Sequence, residues 1–155
     1  MTADELIEQA KAECRPWKAA IIRCAKEYID ANHAVRSNPC GWKACHVPTT
    51  DPVWAEYYRL SDEYRKAKSA LWMVTDVTYG DDPISNAAWS WRFWKVMAQK
   101  CCHYQKVDKN SERAADTMRS LHNAEFELME ACGLGEYYKS PGQYIEATFP
   151  NLKKP

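Results

Sequence analysis

From Ala10 onward, Cys14, Trp17, Ile21, Cys24, Tyr28, Ala31 and Val35 follow at alternating intervals of four and three residues. Val53, Tyr57, Leu60, Tyr64, Ala67, Leu71, Val74 and Thr78 repeat the pattern. A period of 3.5 residues lines up along one side of an α-helix, whereas a strand would send these residues to both faces. Two such stripes in succession predict long helices packed nearly antiparallel. They set the expectation for the whole chain: an all-α fold, an antiparallel bundle of about four long helices with a short C-terminal helix or tail. Its 155 residues suit a single domain, 1–155, large enough to bury a core without metals or disulfides.

Local signals place the four helices. Thr2, with Glu5 three residues later, forms a capping box that opens a helix over 2–35. Pro16 lies inside it and lacks an N–H. The sequence therefore predicts either a kink there, or a short first helix followed by a second with Pro16 in its first turn. Asp51-Pro52 and Asp82-Pro83 are N-cap acceptors followed by proline, opening helices over 51–79 and 82–106. Gly80 is the expected stop of the former. The fourth helix, 110–132, starts at Asn110 or Ser111 and ends on Gly133-Leu134, the pattern of a Schellman motif. A further short helix is expected after Ser140-Pro141.

The third helix is unusual. Trp89, Trp91, Phe93 and Trp94 fall within six residues and cannot share one helical face. Such a helix is either the most buried in the molecule or carries a second, exposed aromatic face.

The charge balance narrows function. Lys+Arg and Asp+Glu are equal at 21 each, which disfavours a DNA mimic and a non-specific nucleic-acid binder alike. Locally, residues 89–119 hold seven basic side chains (Arg92, Lys95, Lys100, Lys106, Lys109, Arg113 and Arg119) against three acidic ones, and residues 120–148 hold five Glu against one Lys. Solvated faces of opposite sign account for this, with a basic nucleic-acid-binding face at 89–119 as the alternative. The acidic amphipathic start lacks a basic n-region and an apolar h-region, and no apolar run has membrane-spanning length, so a cytoplasmic protein is expected. In that setting the seven cysteines are expected to be free thiols.

Chemistry-bearing motifs are sparse. Residues 36–50 form a long connection with Cys40, Trp42, Cys45 and His46, and His33 lies just upstream. Thiolate and imidazole are zinc's ligands, but Cys45 and His46 are adjacent in sequence and poorly placed to share one tetrahedral ion. Cys behaving as a small buried hydrophobe is the expectation. The same C-x4-C-H stretch is related to haem-attachment motifs, which accompany export, and no export signal precedes it. Glu27/Asp30 and Glu127/Glu130 have the i, i+3 spacing of magnesium-binding carboxylates, but solvent-facing charges on helices give the same spacing. Cys101 and Cys102 precede His103, and neighbours on a helix diverge by about 100° and form no dyad. No glycine-rich phosphate loop, Glu-x-x-His pair or cofactor motif is present. The sequence therefore assigns no catalytic residue, metal ligand or cofactor. A zinc- or magnesium-dependent enzyme is the minority reading.

Aromatic residues remain: seven Trp and nine Tyr beside seven Leu. Tyr and Trp dominate binding hot spots because they bury much area at small entropic cost. Trp17, Trp54, Trp91 and Trp94 lie on or beside the stripes and are expected in the core. Trp42 and Lys43 in the connection, and Tyr137 and Tyr138 after the glycine stop, lie outside the periodic pattern and are the expected partner-binding residues.

The segment Ala88-Trp89-Ser90-Trp91 through Val96-Met97-Ala98 resembles a tryptophan-rich helix of small phage-encoded, all-helical anti-CRISPR inhibitors. The resemblance implies a stoichiometric, non-enzymatic inhibitor that occupies a surface of a host defence nucleoprotein complex. It carries over no catalytic residue. The expected function is thus protein binding, with direct nucleic-acid contact the less favoured mode.

Overall fold

The computed structural model describes residues 1–42, 44–101 and 112–139, and for Trp42 the backbone alone. These residues form seven α-helices and one 3₁₀ turn, with no strand among them: α1 (Ala3–Ala12), α2 (Pro16–Ser37), α3 (Pro39–Trp42), a 3₁₀ turn (Ala44–His46), α4 (Val53–Val74), α5 (Pro83–Gln99), α6 (Glu112–Ala131) and α7 (Gly135–Tyr138). The all-helical class is as expected, but the helix count exceeds four. Four helices are long, at 22, 22, 17 and 20 residues for α2, α4, α5 and α6.

At Pro16 the chain takes the second of the two routes open to it. The Thr2 hydroxyl accepts from the Glu5 N–H at 3.2 Å and starts α1. The helix stops at Ala12, Cys14 swings to a φ of 56°, and Pro16 opens α2. A proline at the first helical position loses no hydrogen bond, whereas inside a continuous helix it would. Asp82 accepts from the Ile84 N–H at 3.2 Å as the expected N-cap of α5, whereas α4 starts one residue later than expected, with Pro52 at the N-cap position and Asp51 before it accepting from the Val53 N–H at 2.9 Å.

α4 is shorter than its stripe. It ends at Val74, before Gly80, because the Thr75 hydroxyl folds back onto the carbonyls of Leu71 (2.8 Å) and Trp72 (3.0 Å). The Arg92 guanidinium, stacked on the Trp72 ring at 3.8 Å, donates to the Trp72 carbonyl as well. A cation on the last carbonyls of α4 also answers the negative end of the helix dipole. Thr78, the last member of the stripe, is exposed beyond the helix.

The sixth helix ends as expected. Leu134 N–H donates to the Met129 carbonyl at 2.8 Å and Gly133 N–H to the Glu130 carbonyl at 3.0 Å, with Gly133 at a φ of 74° and Leu134 buried. This is the Schellman hydrogen-bond pair with its apolar clasp. The connection 36–50 is more regular than a loop. Asn38 accepts from the Cys40 N–H at 2.9 Å and starts α3, with Trp42 as its last residue. Gly41 lies so close to α2 that a Cβ would sit 2.4 Å from the Val35 carbonyl oxygen, which is why glycine is needed there. The expected extension of α5 to 106, the start of the fourth helix at 110–111, and the helix after Ser140-Pro141 lie outside the described residues.

The two stripe-bearing helices, α2 and α4, pair along their length, and α5 pairs with α6; α1 lies on α2, and α7 on α6. One core joins them: Ile21, Ile22, Ala25, Tyr28 and Ile29 of α2; Leu71 of α4; Ile84, Ala88 and Trp91 of α5; Leu128 and Met129 of α6; then Cys132 and Leu134. In α2 the buried set departs from the heptad stripe: of the stripe only Ile21 and Tyr28 are buried, Trp17, Cys24, Ala31 and Val35 are half-buried, and Ala19, Ile22, Ala25, Ile29, His33 and Ser37 are buried beside it. No described helix is long and apolar enough to cross a membrane.

Candidate functional site

Of the four tryptophans expected inside, only Trp91 is fully buried. Trp17 packs on the core rim. Trp54 is half-buried near the start of α4, its indole N–H donating to the Pro48 carbonyl at 3.0 Å. Trp94 lines a cleft of about 380 Å³ between α5 and α6 together with Arg113, Asp116 and Thr117. One helical residue separates neighbours by about 100°, so with Trp91 pointing inward Trp94 falls toward one flank and Trp89 away from the core.

Trp91 is held by a polar centre that the sequence did not disclose. Its indole N–H donates to Glu125 Oε2 at 3.0 Å, and the Tyr28 hydroxyl donates to the same oxygen at 3.1 Å. The Tyr138 hydroxyl donates to Glu125 Oε1 at 2.8 Å, and the phenols of Tyr28 and Tyr64 share a hydrogen bond at 3.2 Å. One carboxylate on α6 thus gathers donors from α2, α5 and α7. Burial, then the Glu125 charge, pushes the Tyr28 and Tyr138 phenols well above the ordinary tyrosine range, so both remain protonated donors. Lys95, one turn beyond Trp91, holds its ammonium 4.8 Å from the Trp91 ring. Its pKa falls to about 8, chiefly through burial and then through the neighbouring Lys68 charge, with Glu125 pulling the other way. With its donors supplied by phenols and an indole, this centre is built to join helices.

Tyr137 and Tyr138, expected outside the core, pack against it. Tyr138 is bound to Glu125, and Tyr137 donates to Asp30 while its ring meets His33 edge-on at 5.2 Å. Their position after the glycine stop, outside any long periodic run, hid this role: α7 is a single turn that folds back onto α6. Trp42 closes α3; its side chain and all of Lys43 lie outside the described residues.

The zinc candidates do not converge. His33 and Cys40 are buried, Cys45 and His46 exposed, and no group of three or more metal-ligating side chains gathers among the described residues. Burial lowers the His33 pKa and raises that of the Cys40 thiol, favouring the neutral form of each. Glu27 faces Glu63 and Lys66 across a shallow cleft between α2 and α4, while its spacing mate Asp30 pairs with Lys26 at 3.0 Å. The six described cysteines are free thiols; Cys102 and His103 lie outside the described residues. Of the basic stretch, Lys100 and Arg113 are exposed, Arg92 is tied to Trp72 and Asp76, Lys95 is half-buried, Arg119 pairs with Asp116, and Lys106 and Lys109 lie outside the described residues.

The remaining feature is the outer side of α5. Its inner side is Ile84, Ala88, Trp91 and Ala98, all buried. Opposite, Trp89, Phe93 and Val96 repeat at intervals of four and three and are 47%, 43% and 37% exposed, and Tyr79, from the α4–α5 connection, is 62% exposed. The rings form a continuous ladder: Tyr79 meets Trp89 edge-on at 5.3 Å, Trp89 stacks on Phe93 at 5.7 Å and 10°, and Phe93 meets Trp94 edge-on at 5.2 Å. Between the two alternatives open to this aromatic-rich helix, the structure takes the second, exposed aromatic face. Asn86 anchors the near end by accepting from the Gly80 N–H at 3.0 Å, which holds the Tyr79 connection against α5. Contiguous apolar area rimmed by polar residues marks an interaction surface more often than a catalytic one. Comparison of the chain with family models, with curated proteins and with solved structures finds no match.

Proposed function

We propose that this chain is a non-enzymatic protein-interaction module whose principal contact is the aromatic face of α5. The observation that carries the proposal is the Tyr79–Trp89–Phe93 ladder, three rings in contact and partly open to solvent, on the side of a helix whose other side is the core. Leaving these rings about half in water forgoes roughly 1 kcal/mol each, a cost that binding a partner recovers. Trp42 and Lys43 belong to the proposal as a second contact, and Tyr137 and Tyr138 contribute only the edges that the core leaves uncovered. The resemblance of Ala88–Ala98 to tryptophan-rich helices of phage-encoded inhibitors extends the proposal to a specific role: stoichiometric inhibition of a CRISPR-type host defence complex. That resemblance falls on the segment that forms the ladder.

The test is affinity capture from host cells with wild-type protein and with the Trp89→Ala/Phe93→Ala double variant, together with a phage-interference assay. The expected result is a partner retained by the wild type and weakened by roughly 2 kcal/mol or more in the variant, at nearly unchanged melting temperature. A partner that binds both proteins equally would remove α5 as the contact. Intact host interference in the presence of the wild-type chain would remove the inhibitor role.

A further inference from the structure

We propose that the cleft where the end of α2 meets α6 and α7 is a binding site for a small aromatic phosphate, of the nucleoside-monophosphate kind. The cleft, of about 360 Å³, is lined by Arg36, His122, Asn123, Phe126, Tyr138 and Lys139. Its composition separates it from other clefts of the molecule. Those lined by Arg113, Arg15 and Lys66 each hold carboxylates beside the cation: Glu112 and Asp116, Asp81 and Asp82, Glu27 and Glu63. This one sets two cations, an imidazole and a side-chain amide around its wall, and no acidic residue. Neither Arg36 nor Lys139 takes part in an ion pair among the described residues. A cation near a helix C-terminus answers the dipole, which accounts for either residue alone. It does not gather both around one cleft.

The chemistry of the lining selects the ligand. A guanidinium presents a planar fork of donors that matches the oxygens of a phosphate, and an ammonium adds a point charge. His122 and Asn123, both exposed, add ring and amide N–H donors. The Arg36 charge reaches the Tyr138 phenol, where it opposes the upward push of burial and of Glu125. Glu125 itself is engaged by Tyr28, Trp91 and Tyr138 at 2.8–3.1 Å, so its oxygens are taken up by those donors. The apolar part of the site is a row of rings. Tyr138 lies 6.2 Å from His122 and 6.3 Å from Phe126, tilted by 37° and 40°. Lys139 holds its ammonium 4.1 Å from the Phe126 ring, which places a charge on that row. A planar base laid on these rings, with its phosphate toward Arg36 and Lys139, uses both halves of the lining. The volume is at the small end of the roughly 300–1,000 Å³ of ligand pockets, a size for one small molecule. No residue of α5 lines the cleft, so the site is independent of the interface proposed there.

Isothermal titration of the full chain with adenosine 5′-monophosphate, adenosine and inorganic phosphate tests this. At low salt the monophosphate should bind with a Kd of about 0.1–1 mM, inorganic phosphate at least about 5-fold more weakly, and adenosine with no measurable heat. Arg36→Gln and Lys139→Gln should each raise the monophosphate Kd by roughly 5–10-fold without lowering the melting temperature, since both side chains are exposed. Arg36→Lys keeps the charge and loses the fork, and should recover only part of the affinity. Phe126→Leu should weaken the monophosphate and leave inorganic phosphate unchanged. Arg65→Gln removes the same charge from an exposed position on α4 and should change nothing. No binding of the monophosphate at about 10 mM would overturn the proposal, as would a Kd indifferent to Arg36→Gln and Lys139→Gln. An effect of Arg65→Gln as large as that of Arg36→Gln would reduce the site to diffuse surface charge and overturn it as well. Inorganic phosphate that binds as tightly as the monophosphate would do the same, since the rings would then contribute nothing.

Discussion

At Gly133 the backbone takes a φ of 74°, and a Cβ there would lie 2.7 Å from the Ala3 nitrogen and 2.8–2.9 Å from the Thr2 carbonyl carbon and Met1 oxygen. The residue that ends α6 is thus also the floor on which the amino-terminal backbone rests. Gly133→Ala should cost about 2–4 kcal/mol, combining left-handed strain with displacement of the α1 start. Gly80→Ala, where a Cβ meets nothing within 4 Å, should be near neutral. Thermal melts of the two variants check the contrast. Lys95 offers a second test at this scale. Its folded pKa of about 8 lies below the ordinary 10.5, so between these values the unfolded chain binds more protons and stability rises with pH. Lys95→Met should therefore stabilise the protein at pH 7, by on the order of 1 kcal/mol once the exposed part of the amine is discounted for solvent screening. The gain should shrink as the pH is raised from 8 toward 10. A benefit that stays constant over that range would mean that charge burial is not its source.

At the scale of elements, helix joining depends on a few long-range polar ties. Tyr28 and Glu125 are 97 residues apart, and Trp91 and Glu125 are 34 apart. Replacing Glu125 by Ala leaves three partly buried donors without an acceptor, and should cost about 2–4 kcal/mol, with Glu125→Gln recovering part of it. Trp91→Ala should cost about 3–5 kcal/mol as a large core truncation, and Trp94→Ala clearly less, since Trp94 is only half-buried. Urea denaturation of the four variants tests this order; a Trp94 variant as damaged as the Trp91 one would move the core boundary to the α5–α6 cleft. Arg92 acts between elements as well. Arg92→Met keeps much of the stacking on Trp72 but loses the donors at the end of α4, and should cost about 1–2 kcal/mol.

For the whole molecule, one helix has two sides of different character, core on one and an exposed aromatic row, the proposed contact, on the other. Trp89→Ala and Trp91→Ala, two residues apart, should therefore behave oppositely: the first should weaken partner binding at a nearly unchanged melting temperature, the second should lose stability. Trp42→Ala, by the expectation that its ring belongs to a contact, should leave the melting temperature nearly unchanged and weaken binding by roughly 2 kcal/mol or more. If Trp42→Ala destabilises the fold instead, that ring belongs to the interior.

What the chain specifies locally was legible in its residues. Thr2 and Asp82 cap helices, Asp51 accepts from the first N–H of α4, Pro16 opens a helix, and Gly133-Leu134 ends one, because each device acts within about five residues of itself. The heptad stripes identified α2 and α4 for the same reason, as interactions at i, i+3 and i+4 leave a periodic trace. Tertiary structure decided the rest. The stop of α4 at Val74 needs Arg92 from another helix as well as Thr75, the docking of Tyr138 needs Glu125, and the burial of His33, off the α2 stripe, comes with Tyr137 of α7. The difference between Trp89 and Trp91 is of the same kind. Both are tryptophans on one apolar helix, and only the positions of the neighbouring helices determine which ring they cover and which is left exposed.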